Sequence, residues 1–545
     1  MISLFSPRLV AFLSIRSIAY LFLAFVSCSA VAQETAPKPA SEEVEDFIKK
    51  FAGRGAVGDF STRPKTPEES LAAFRVADDL KIELVASEPE VRQPVFLNFD
   101  ERGRMWVVQY IQYPFPAGLK VVRYDEHLRA IFDKVPPPPP NHDRGRDMIT
   151  IHEDRDGDGR FETVKTFLDG LNICTAVEHD RDGIWVLHPP YLLFYPDKDK
   201  DDIPDGDPVV HLEGFGLEDT HAVANSLRWG PDGWLYGCQG STCHATIKRP
   251  GIDSVGVHFK GQAIWRYEPK SKRFEIFAEG GGNAFGLEFD AQGQAYSGHN
   301  GGNTRGFHYI QGRYFWKSWG KHGELTNPYA FGYFPEMKGS QVERFSHTFV
   351  VYEGGVLPPR YEGQILAPVP LHNYVMLSQR LPDGSTYLTH DVEKVVKTSD
   401  SWFRPVEIKV GPDGGVYIAD WYDTRLTHVD PRDNWDRSNG RIYRLTSHAA
   451  PRIAPFNMRE WPTTQLVDTL AHPNKWFRQT ALRLIRERQD ASIKGLLLRR
   501  LADPGAENPV EYLWALAAIE KLSEPLIERL VMHTDPAVRA WTVRL

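Results

Sequence analysis

The sequence predicts a mainly β protein, a six-bladed β-propeller followed by a short α-helical, HEAT-like solenoid. The first observation is a hairpin signature that recurs along the chain at the spacing of roughly 50–80 residues expected for propeller blades with insertions. The second is composition, because 44 Gly, 40 Pro and 14 Trp favour many tight turns between aromatic-rich strands. The third is a change of hydrophobic period from two to 3.6 after Trp461, which indicates helices.

The repeated hairpin consists of an apolar strand, an Asp-containing turn with a glycine, and a second strand with aromatic residues. Its copies cover residues 95–106, 176–185, 227–236, 286–296 and 406–417, and a degenerate copy covers residues 361–366. Each turn glycine supplies dihedral angles that a tight hairpin needs. A pair of β-sandwiches is the alternative fold, but sandwiches do not repeat one hairpin signature.

Equivalent positions of this repeat are expected to gather around the central channel, because the inner strand of each blade begins beside it. When the copies of the repeat are aligned on their turn glycines, Asn283 and Arg404 fall at equivalent positions before the turn. Gln239, His299 and Asp420 share the position six residues after the turn glycine. A single polar strand end is usually a solvated turn. Several of them converging from different blades predict a cofactor or substrate site at the mouth of the channel.

Two acidic loops are predicted calcium sites, since alternate carboxylates in a tight loop collect oxygen ligands for a hard cation. The first contains Asp154, Asp156, Asp158 and Glu162 around Gly157 and Gly159, and it departs from the EF-hand at Lys165. The second contains the series Asp197, Asp199 and Asp201, followed by Asp205, and includes two lysines. Solvated acidic turns are the alternative. Either metal would be structural and would pin an insertion between blades.

Cysteine chemistry carries no functional prediction. Cys238 and Cys243 precede His244 in a C-x4-C-H arrangement, which is not the C-x-x-C-H of covalent haem attachment, so the chain has no haem motif. A disulfide between them is open in an oxidising compartment, while Cys174 would stay unpaired. Four cysteines in 545 residues exclude a disulfide-built scaffold.

The chain begins with a predicted secretory signal peptide, residues 1–32, that would place the protein in the periplasm or outside the cell. Arg8 and Arg16 lie near an apolar run too short for a confident membrane span, and Ala30 and Ala32 form a small-x-small cleavage signal. Lipid anchoring through Cys28 is the alternative. Residues 33–73 are predicted to be a linker or extension, and residues 74–446 the propeller.

Residues 460–545 are predicted to form HEAT-like helix pairs, which usually serve as interaction surfaces for protein partners. The last pair has no capping repeat, so a truncated gene or fragment is expected. Lys and Arg number 64 against 72 Asp and Glu, a net charge of −8. This balance excludes the basic surface that nucleic-acid binding needs.

Residues 74–445 resemble the secreted "membrane-bound dehydrogenase" or haem-binding-type proteins of planctomycetes and verrucomicrobia. The most specific stretches are residues 220–233, THAVANSLRWGPDG, and residues 410–423, VGPDGGVYIADWYD; residues 440–445 close the match. The propeller of that family is similar to soluble quinoprotein glucose and sorbosone dehydrogenases. HEAT-like repeats after the propeller also fit its architecture.

The resemblance implies roles for several residues. His221 occupies the place of the histidine that takes a proton from the sugar hydroxyl. Asn283 matches the asparagine of an Arg-Asn pair that holds pyrroloquinoline quinone (PQQ) in those enzymes, but Gly282 stands where the arginine is expected. A missing guanidinium weakens the pairing with cofactor carboxylates. Arg404 from another blade is the substitute that we expect.

Two functions follow as expectations. One is a quinoprotein-like dehydrogenase with PQQ and calcium, in which His221 abstracts a hydroxyl proton from a sugar or related alcohol or aldehyde and electrons pass to a c-type cytochrome. The other is a non-catalytic propeller and helical scaffold that binds carbohydrate or protein partners. For His221 itself, the alternative is a hydrogen-bonded structural histidine beside the channel.

Overall fold

The computed structural model describes residues 42–54, 59, 61–317, 323–343, 346 and 348–545. The predicted signal peptide, residues 1–32, and Cys28 lie outside the described residues. The first described element is the helix α1 (Glu42–Phe51), at the position where the sequence allows one short helix, and α2 (Pro67–Ala72) follows it. Thr66 begins α2 with a capping box, because its hydroxyl accepts from the Glu69 backbone while the Glu69 carboxylate accepts from Thr66.

All the strands of the described residues lie between Phe74 and Ser447. In chain order, the strands of the described residues are β1 (Phe74–Val76), β2 (Leu80–Ser87), β3 (Pro94–Phe99), β4 (Met105–Gln109), β5 (Val121–Tyr124), β6 (Ala130–Phe132), β7 (Asp147–Glu153), β8 (Thr163–Leu171), β9 (Ala176–Asp180), β10 (Gly183–His188), β11 (Tyr191–Pro196), β12 (Val209–Glu213), β13 (Ala224–Trp229), β14 (Leu235–Gln239), β15 (His244–Ile247), β16 (Val257–Lys260), β17 (Ala263–Glu268), β18 (Arg273–Glu279), β19 (Glu288–Phe289), β20 (Ala295–Gly298), β21 (Gly306–Tyr309), β22 (Arg313–Tyr314), β23 (Gly332–Tyr333), β24 (Val350–Val351), β25 (Ile365–Val369), β26 (Tyr374–Asp383), β27 (Thr386–Thr398), β28 (Pro405–Val410), β29 (Val416–Asp420) and β30 (Arg441–Ser447).

These strands form a propeller-like series of sheets in which most neighbouring strands are consecutive in the chain and antiparallel, while β22 pairs in parallel with β18 and β23. In the described part of the chain, the sheets of three or more strands have the orders β3-β4-β7-β8, β12-β11-β10-β9, β13-β14-β17-β18-β22-β23, β19-β20-β21, β1-β27-β26-β25-β24 and β2-β30-β29-β28. Five of them have at least four strands, and the sheet that contains β19 has three. The expected six full blades are therefore five. The fourth sheet falls short because its inner strand has only two residues and the chain after β21 pairs with the preceding sheet.

The inner strands contact one another in a ring. β28 contacts β3, β3 contacts β9, β9 contacts β13, β19 contacts β24, and β25 contacts β28. Arg228 on β13 and Glu288 on β19 join the remaining pair of sheets by an ion pair of 2.6 Å. The ring is closed by β2, since this strand from the start of the chain pairs along β30 from the end of the strand region. Pairing of this kind ties the start of the strand region to its end within one blade.

The turn glycines explain why the repeat folds as hairpins. Gly103, Gly233, Gly293, Gly363 and Gly414 have φ between 71° and 79°, and each lies two residues before the second strand of its sheet. A side chain is strained at such angles, so glycine fixes the register of the hairpin. The degenerate copy around Gly363 is confirmed as one of these turns, because β25 begins at Ile365.

The region after the last strand is helical, as the change of period predicts. Its α-helices in the described residues are α3 (Thr463–Thr469), α4 (Lys475–Arg488), α5 (Lys494–Leu501), α6 (Pro509–Ile519), α7 (Glu524–Leu530) and α8 (Pro536–Arg544). Pro509 and Pro536 stand in the first turns of α6 and α8, where a missing N–H costs nothing. The helices contact one another as the pairs α3·α4, α5·α6 and α7·α8. A HEAT-like classification of these pairs stays a prediction.

The helices pack against the propeller and share a hydrophobic core with it. One cluster of buried side chains contains Leu97 and Met105 from the first blade together with Leu484 and Leu513 from the helices. Polar contacts join the same parts, since the Asn474 side chain donates to the carbonyls of a propeller turn at 2.9 Å. Among the described residues, no helix has the length and apolar character needed to cross a membrane.

Candidate functional site

A pocket lies in the central channel at the end where the inner strands begin. Its walls come from β3, β13 and β28 and from the segments that lead into β9 and β19, so five sheets contribute. The pocket is partly open to solvent, and its inner space has a volume of about 70 Å³.

Aromatic rings form much of the pocket wall. Tyr113 meets Trp421 edge-to-face at 5.7 Å and Trp435 at 5.0 Å between ring centroids. The buried Arg425 guanidinium lies 4.2 Å above the Trp435 ring, which adds a cation–π contact behind the wall. The indole N–H groups of Trp421 and Trp435 are buried and have no hydrogen-bond partner within the described part of the chain. Buried donors are normally paired, so a ligand oxygen or an ordered water is expected there.

His221 lies at the partly exposed mouth of this pocket. Its Nδ1 is 2.9 Å from the Tyr113 hydroxyl, and its ring is 5.7 Å from the ring of Phe285. Burial raises the pKa of Tyr113 well above its usual value, so the phenol stays neutral near pH 7. The contact with Tyr113 fixes the orientation of the imidazole, and Nε2 is then the ring nitrogen not engaged by the phenol.

The turn before β13 holds His221 in place. Asp219 accepts from the His221 backbone N–H at 3.1 Å, and its other oxygen accepts from the Thr242 hydroxyl at 2.5 Å. Thr220 ties the turn to the first blade by donating to the Pro114 carbonyl at 2.6 Å. The THA segment therefore forms a tight turn that carries the imidazole to the channel.

A second histidine accompanies the first. The rings of His221 and His428 are 4.8 Å apart, and the Nε2 atom of His428 lies 3.2 Å from Asp219. Because Asp219 contacts both the backbone of one histidine and the ring of the other, it positions the pair. When protonated, His428 is held by this carboxylate.

Charged residues close the channel beneath the pocket. Glu407 lines the pocket, and Lys409 lies 3.9 Å from it on the same strand, over the ring of Phe96. Burial raises the pKa of Glu407 and lowers the pKa of Lys409 to about 8. Further along, Lys475 of α4 contacts Glu288 of β19. The helical region thus covers this end of the channel.

Two of the predicted cofactor residues hold loops instead of lining the pocket. Gln239 is buried at the end of β14 and donates to two carbonyls of the adjoining loops. Asp420 accepts from the backbone N–H groups of Arg404 at 2.7 Å and Tyr422 at 3.0 Å, and burial raises its pKa to about 8. The strand register places both as expected, opposite the start of an inner strand.

Arg404, the expected substitute for the missing arginine, is also engaged in the backbone. Its guanidinium donates to the carbonyls of Phe403 at 3.0 Å and Thr424 at 2.7 Å, and the side chain is buried. It does not line the channel pocket. A guanidinium bound in this way has few donors left for a cofactor carboxylate.

Gly282 has a steric reason for being glycine. A Cβ atom there would lie 1.5 Å from Nδ1 of His299, and a Cβ atom at Gly301 would lie 2.1 Å from its Nε2. The imidazole therefore fills the space of a side chain at position 282. Asn283 accepts from the Ser241 backbone N–H at 2.9 Å. Neither Asn283 nor His299 lines the pocket, so His221 is the one predicted site residue found among its described lining residues.

The pocket residues do not fit PQQ. That cofactor is a fused tricyclic quinone with three carboxylates, which calls for cationic partners. No arginine or lysine is present among the described residues that line the pocket, and the acid among them is Glu407. The described lining therefore lacks the charge that this group needs.

The predicted calcium ligands gather in two clusters away from the pocket. Asp154, Asp156 and Glu162 form one, and a carboxylate oxygen from each lies within 4.8 Å of the others. Asp158 of the same loop is not in that group. Asp197, Asp199 and Asp201 form the second cluster by the same measure. Cys174, Cys238 and Cys243 are buried thiols that form no disulfide, so the bond left open between Cys238 and Cys243 is not formed.

Several residues of the site were missed from the sequence. Tyr113, Asp219 and His428 come from three separate loops, and no local pattern marks them as neighbours. Trp421 lies inside the VGPDGGVYIADWYD stretch, but an aromatic residue at a strand end reads first as part of the core. Only the assembled ring of blades brings these residues together.

The comparison with protein families identifies one match. Residues 66–449 match the family described as "Domain of unknown function (DUF7133)". No curated protein matches the chain.

Solved structures that resemble the chain include three sugar-oxidising proteins. A proposed oxidoreductase (glucose dehydrogenase) of Thermus thermophilus has 17% identity, covers 67% of this chain and 99% of its own, and has a TM-score of 0.36. The PQQ-bound aldose sugar dehydrogenase of Streptomyces coelicolor has 12% identity, with coverage of 68% and 99% and a TM-score of 0.36. The apo-form aldose sugar dehydrogenase of Escherichia coli has 11% identity, with coverage of 68% and 100% and a TM-score of 0.35. Likeness at this level assigns no role to any residue.

Proposed function

The chain belongs to the family described as a domain of unknown function (DUF7133), and from this premise we propose that its channel pocket binds a small hydroxylated, sugar-like molecule. In this proposal His221 exchanges a proton with one hydroxyl of the ligand. The observation that carries it is the meeting of the His221–Tyr113 pair with the aromatic wall of the pocket.

Aromatic walls with a few polar groups suit a ring that has an apolar face and hydroxyls at its edge. Phe285 and His221 offer partly exposed rings at the mouth. Deeper in the wall, the side chains of Trp421 and Trp435 add aromatic surface to the pocket.

The size of the pocket limits how such a ligand sits. The inner space of about 70 Å³ opens at its mouth, and it suits one arm of such a ligand, such as a hydroxymethyl group. We expect the ring to rest at the mouth against Phe285 while the arm enters the pocket. This pose places hydroxyls close to the imidazole of His221.

Acid–base chemistry is the step that this chain's own residues support. Tyr113 orients the imidazole through Nδ1, and in the tautomer whose Nδ1–H donates to the phenol oxygen a neutral imidazole can take a proton from a ligand hydroxyl at Nε2. Asp219 keeps the turn that carries His221 in place and contacts His428. A base that only orients a hydroxyl would serve a binding protein equally well.

A sugar dehydrogenase is the second candidate, favoured by the place of His221 just before the Gly230-Pro231-Asp232 turn. Oxidising an alcohol removes two electrons and two protons, and the histidine would accept one of the protons. Because the pocket residues do not fit PQQ, the electrons would need an acceptor of another class. Secretion and transfer to a c-type cytochrome belong to this candidate as proposals.

The first experiment measures ligand binding. Isothermal titration of the protein with a panel of monosaccharides and polyols is expected to give at least one ligand. His221→Ala should weaken the binding of this ligand by about tenfold or more, because the hydrogen bond between the ligand hydroxyl and the imidazole is lost. His258→Ala is the matched control, because His258 is an exposed histidine outside the pocket, and it should bind as wild type. Equal affinity in wild type and His221→Ala would contradict the assignment.

A dye-reduction assay over the same panel separates the two candidates. We expect no added absorbance and no dye reduction when PQQ and calcium are supplied. Reduction that depends on PQQ and disappears in His221→Ala would instead establish the quinoprotein dehydrogenase. Binding without reduction by any acceptor would leave a binding protein.

A further inference from the structure

We propose that the loop between β11 and β12 binds a Ca²⁺ ion through the carboxylates of Asp197, Asp199 and Asp201. This site is separate from the channel pocket and does not depend on the function proposed for it. One carboxylate oxygen from each of the three residues lies within 4.8 Å of the others. Two oxygens bound to one Ca²⁺ at 2.3–2.6 Å can be no more than about 5.2 Å apart. The three oxygens therefore already have a spacing that a single ion can bridge.

The state of Asp197 is the independent observation that points to a cation. Its side chain is 1% exposed, and its Oδ1 atom is buried without a hydrogen-bond partner in the described part of the chain. An ionised carboxylate in this position is costly unless a charge or a donor compensates it.

The cationic side chains around the loop are engaged elsewhere. Arg104 forms a two-point ion pair with Asp202, at 2.6 and 2.8 Å. Lys200 lowers the pKa of Asp197 by its charge, but its ammonium donates to the Asp180 carbonyl at 2.9 Å. Lys165 donates to the backbone carbonyl of Asp201. None of these donors is hydrogen-bonded to Asp197, and a divalent cation would supply the missing partner.

The other acidic loop lacks this feature. Both oxygens of Asp154 accept hydrogen bonds from its own loop, from the N–H groups of Gly157 at 2.8 Å and Gly159 at 2.7 Å. Asp156 and Glu162 likewise accept from backbone N–H groups of the loop. Asp199 and Asp201 of the proposed site also accept from backbone N–H groups, at 3.4 and 2.9 Å. The difference is that no buried carboxylate oxygen without a partner is found among the described residues of the Asp154 loop, and we propose no ion there.

A cation at Asp197 would reinforce a junction between two blades. The loop belongs to the sheet that contains β9, while Arg104 and Lys165, which contact it, belong to the sheet that contains β3. Holding the aspartates together would keep Asp202 and the Asp201 carbonyl in position for these contacts. We therefore expect the ion to be structural.

The test is a calcium titration of the full chain after treatment with EDTA. Isothermal titration with CaCl₂ should show binding by wild type, and Ca²⁺ should raise the melting temperature. Asp197→Asn and Asp199→Asn should each weaken this binding by about tenfold or more, because each removes one anionic ligand. Asp199 is exposed, so its variant tests the ligand role without disturbing buried packing.

Asp156→Asn in the other loop is the matched control and should bind Ca²⁺ as wild type does. The proposal is overturned if wild type binds no Ca²⁺ at millimolar concentration. It is also overturned if both Asp197→Asn and Asp199→Asn keep the wild-type affinity, or if Asp156→Asn is the variant that loses it.

Discussion

Position 282 illustrates how one residue decides what the channel can hold. The imidazole of His299 lies where a side chain at this position would begin, and Gly301 makes room for the other edge of the ring. An arginine that reaches toward a cofactor carboxylate cannot be accommodated at 282 while His299 keeps this place. Glycine in place of the expected arginine at position 282 is thus required by the packing of His299, in addition to removing one charge.

This packing predicts the effect of a small substitution. Gly282→Ala should lower the free energy of unfolding by about 1–3 kcal/mol, because the added methyl overlaps the His299 ring in a tightly packed segment. The double variant Gly282→Ala/His299→Ala should recover most of the loss. Urea denaturation measures both. A Gly282→Ala protein as stable as wild type would show that His299 does not occupy this space.

The sequence was informative at residue scale where local chemistry marks a position. His221 stands before a Gly-Pro-Asp turn in a recognisable stretch, and it lies at the pocket as expected. Gln239 and Asp420 were placed correctly at their strand ends, but their side chains cap neighbouring loops. The direction of a polar side chain at a strand end depends on loops that are distant in the sequence. The position of the residue within the repeat therefore could not predict whether its side chain lines the pocket.

At the scale of elements, turns and helix starts were the predictable features. Glycines two residues before a strand mark the hairpins, and Pro509 and Pro536 mark the starts of helices. The short inner strand Glu288–Phe289 was not predictable, because its repeat copy has the usual pattern. The chain after β21 pairs with the preceding sheet through β22, so the blade that contains β19 has only three strands in the described residues.

A buried ion-pair network joins the helical region to the propeller. Arg478 on α4 lies between Glu511 on α6 and Glu353 beside β24, with both contacts at 3.0 Å. Arg478 is 3% exposed, and burial raises the pKa of each glutamate to about 7. The guanidinium is therefore the main charge that favours the ionised form of these two buried acids.

Arg478→Met should reduce the free energy of unfolding by about 3–5 kcal/mol, because it leaves two buried carboxyls without their cation. Arg500→Met is the matched control, since Arg500 pairs with Asp468 on the surface, and it should cost less than about 1 kcal/mol. Chemical denaturation at several pH values measures both variants.

The loss in Arg478→Met should grow with pH. Glutamates whose folded pKa is raised favour folding at low pH, and that stability is lost as pH rises toward the folded pKa. Removing the arginine raises the pKa of both acids in the folded protein further. Stability is then lost up to a higher pH in the variant than in wild type. The variant should therefore approach wild type near pH 5 and fall behind it near pH 8. A pH-independent difference would contradict this account of the network.

For the whole molecule, the sequence separated a propeller and a helical region but could not show how they meet. Residues such as Leu97 and Leu513 are far apart in the chain, yet they share one hydrophobic cluster. The contact between the two regions extends to the channel, because Lys475 of α4 contacts Glu288 of β19. One end of the channel is thus covered by helices, and the pocket at the other end holds the candidate site.

The central claim is that this pocket binds a small hydroxylated ligand at His221. A crystal structure of the protein with a ligand selected from the sugar and polyol panel tests it most directly. The account predicts a ligand hydroxyl within hydrogen-bond distance of the His221 imidazole and an arm of the ligand beside Trp421 and Trp435. A ligand bound only elsewhere, or PQQ bound in the channel, would contradict it.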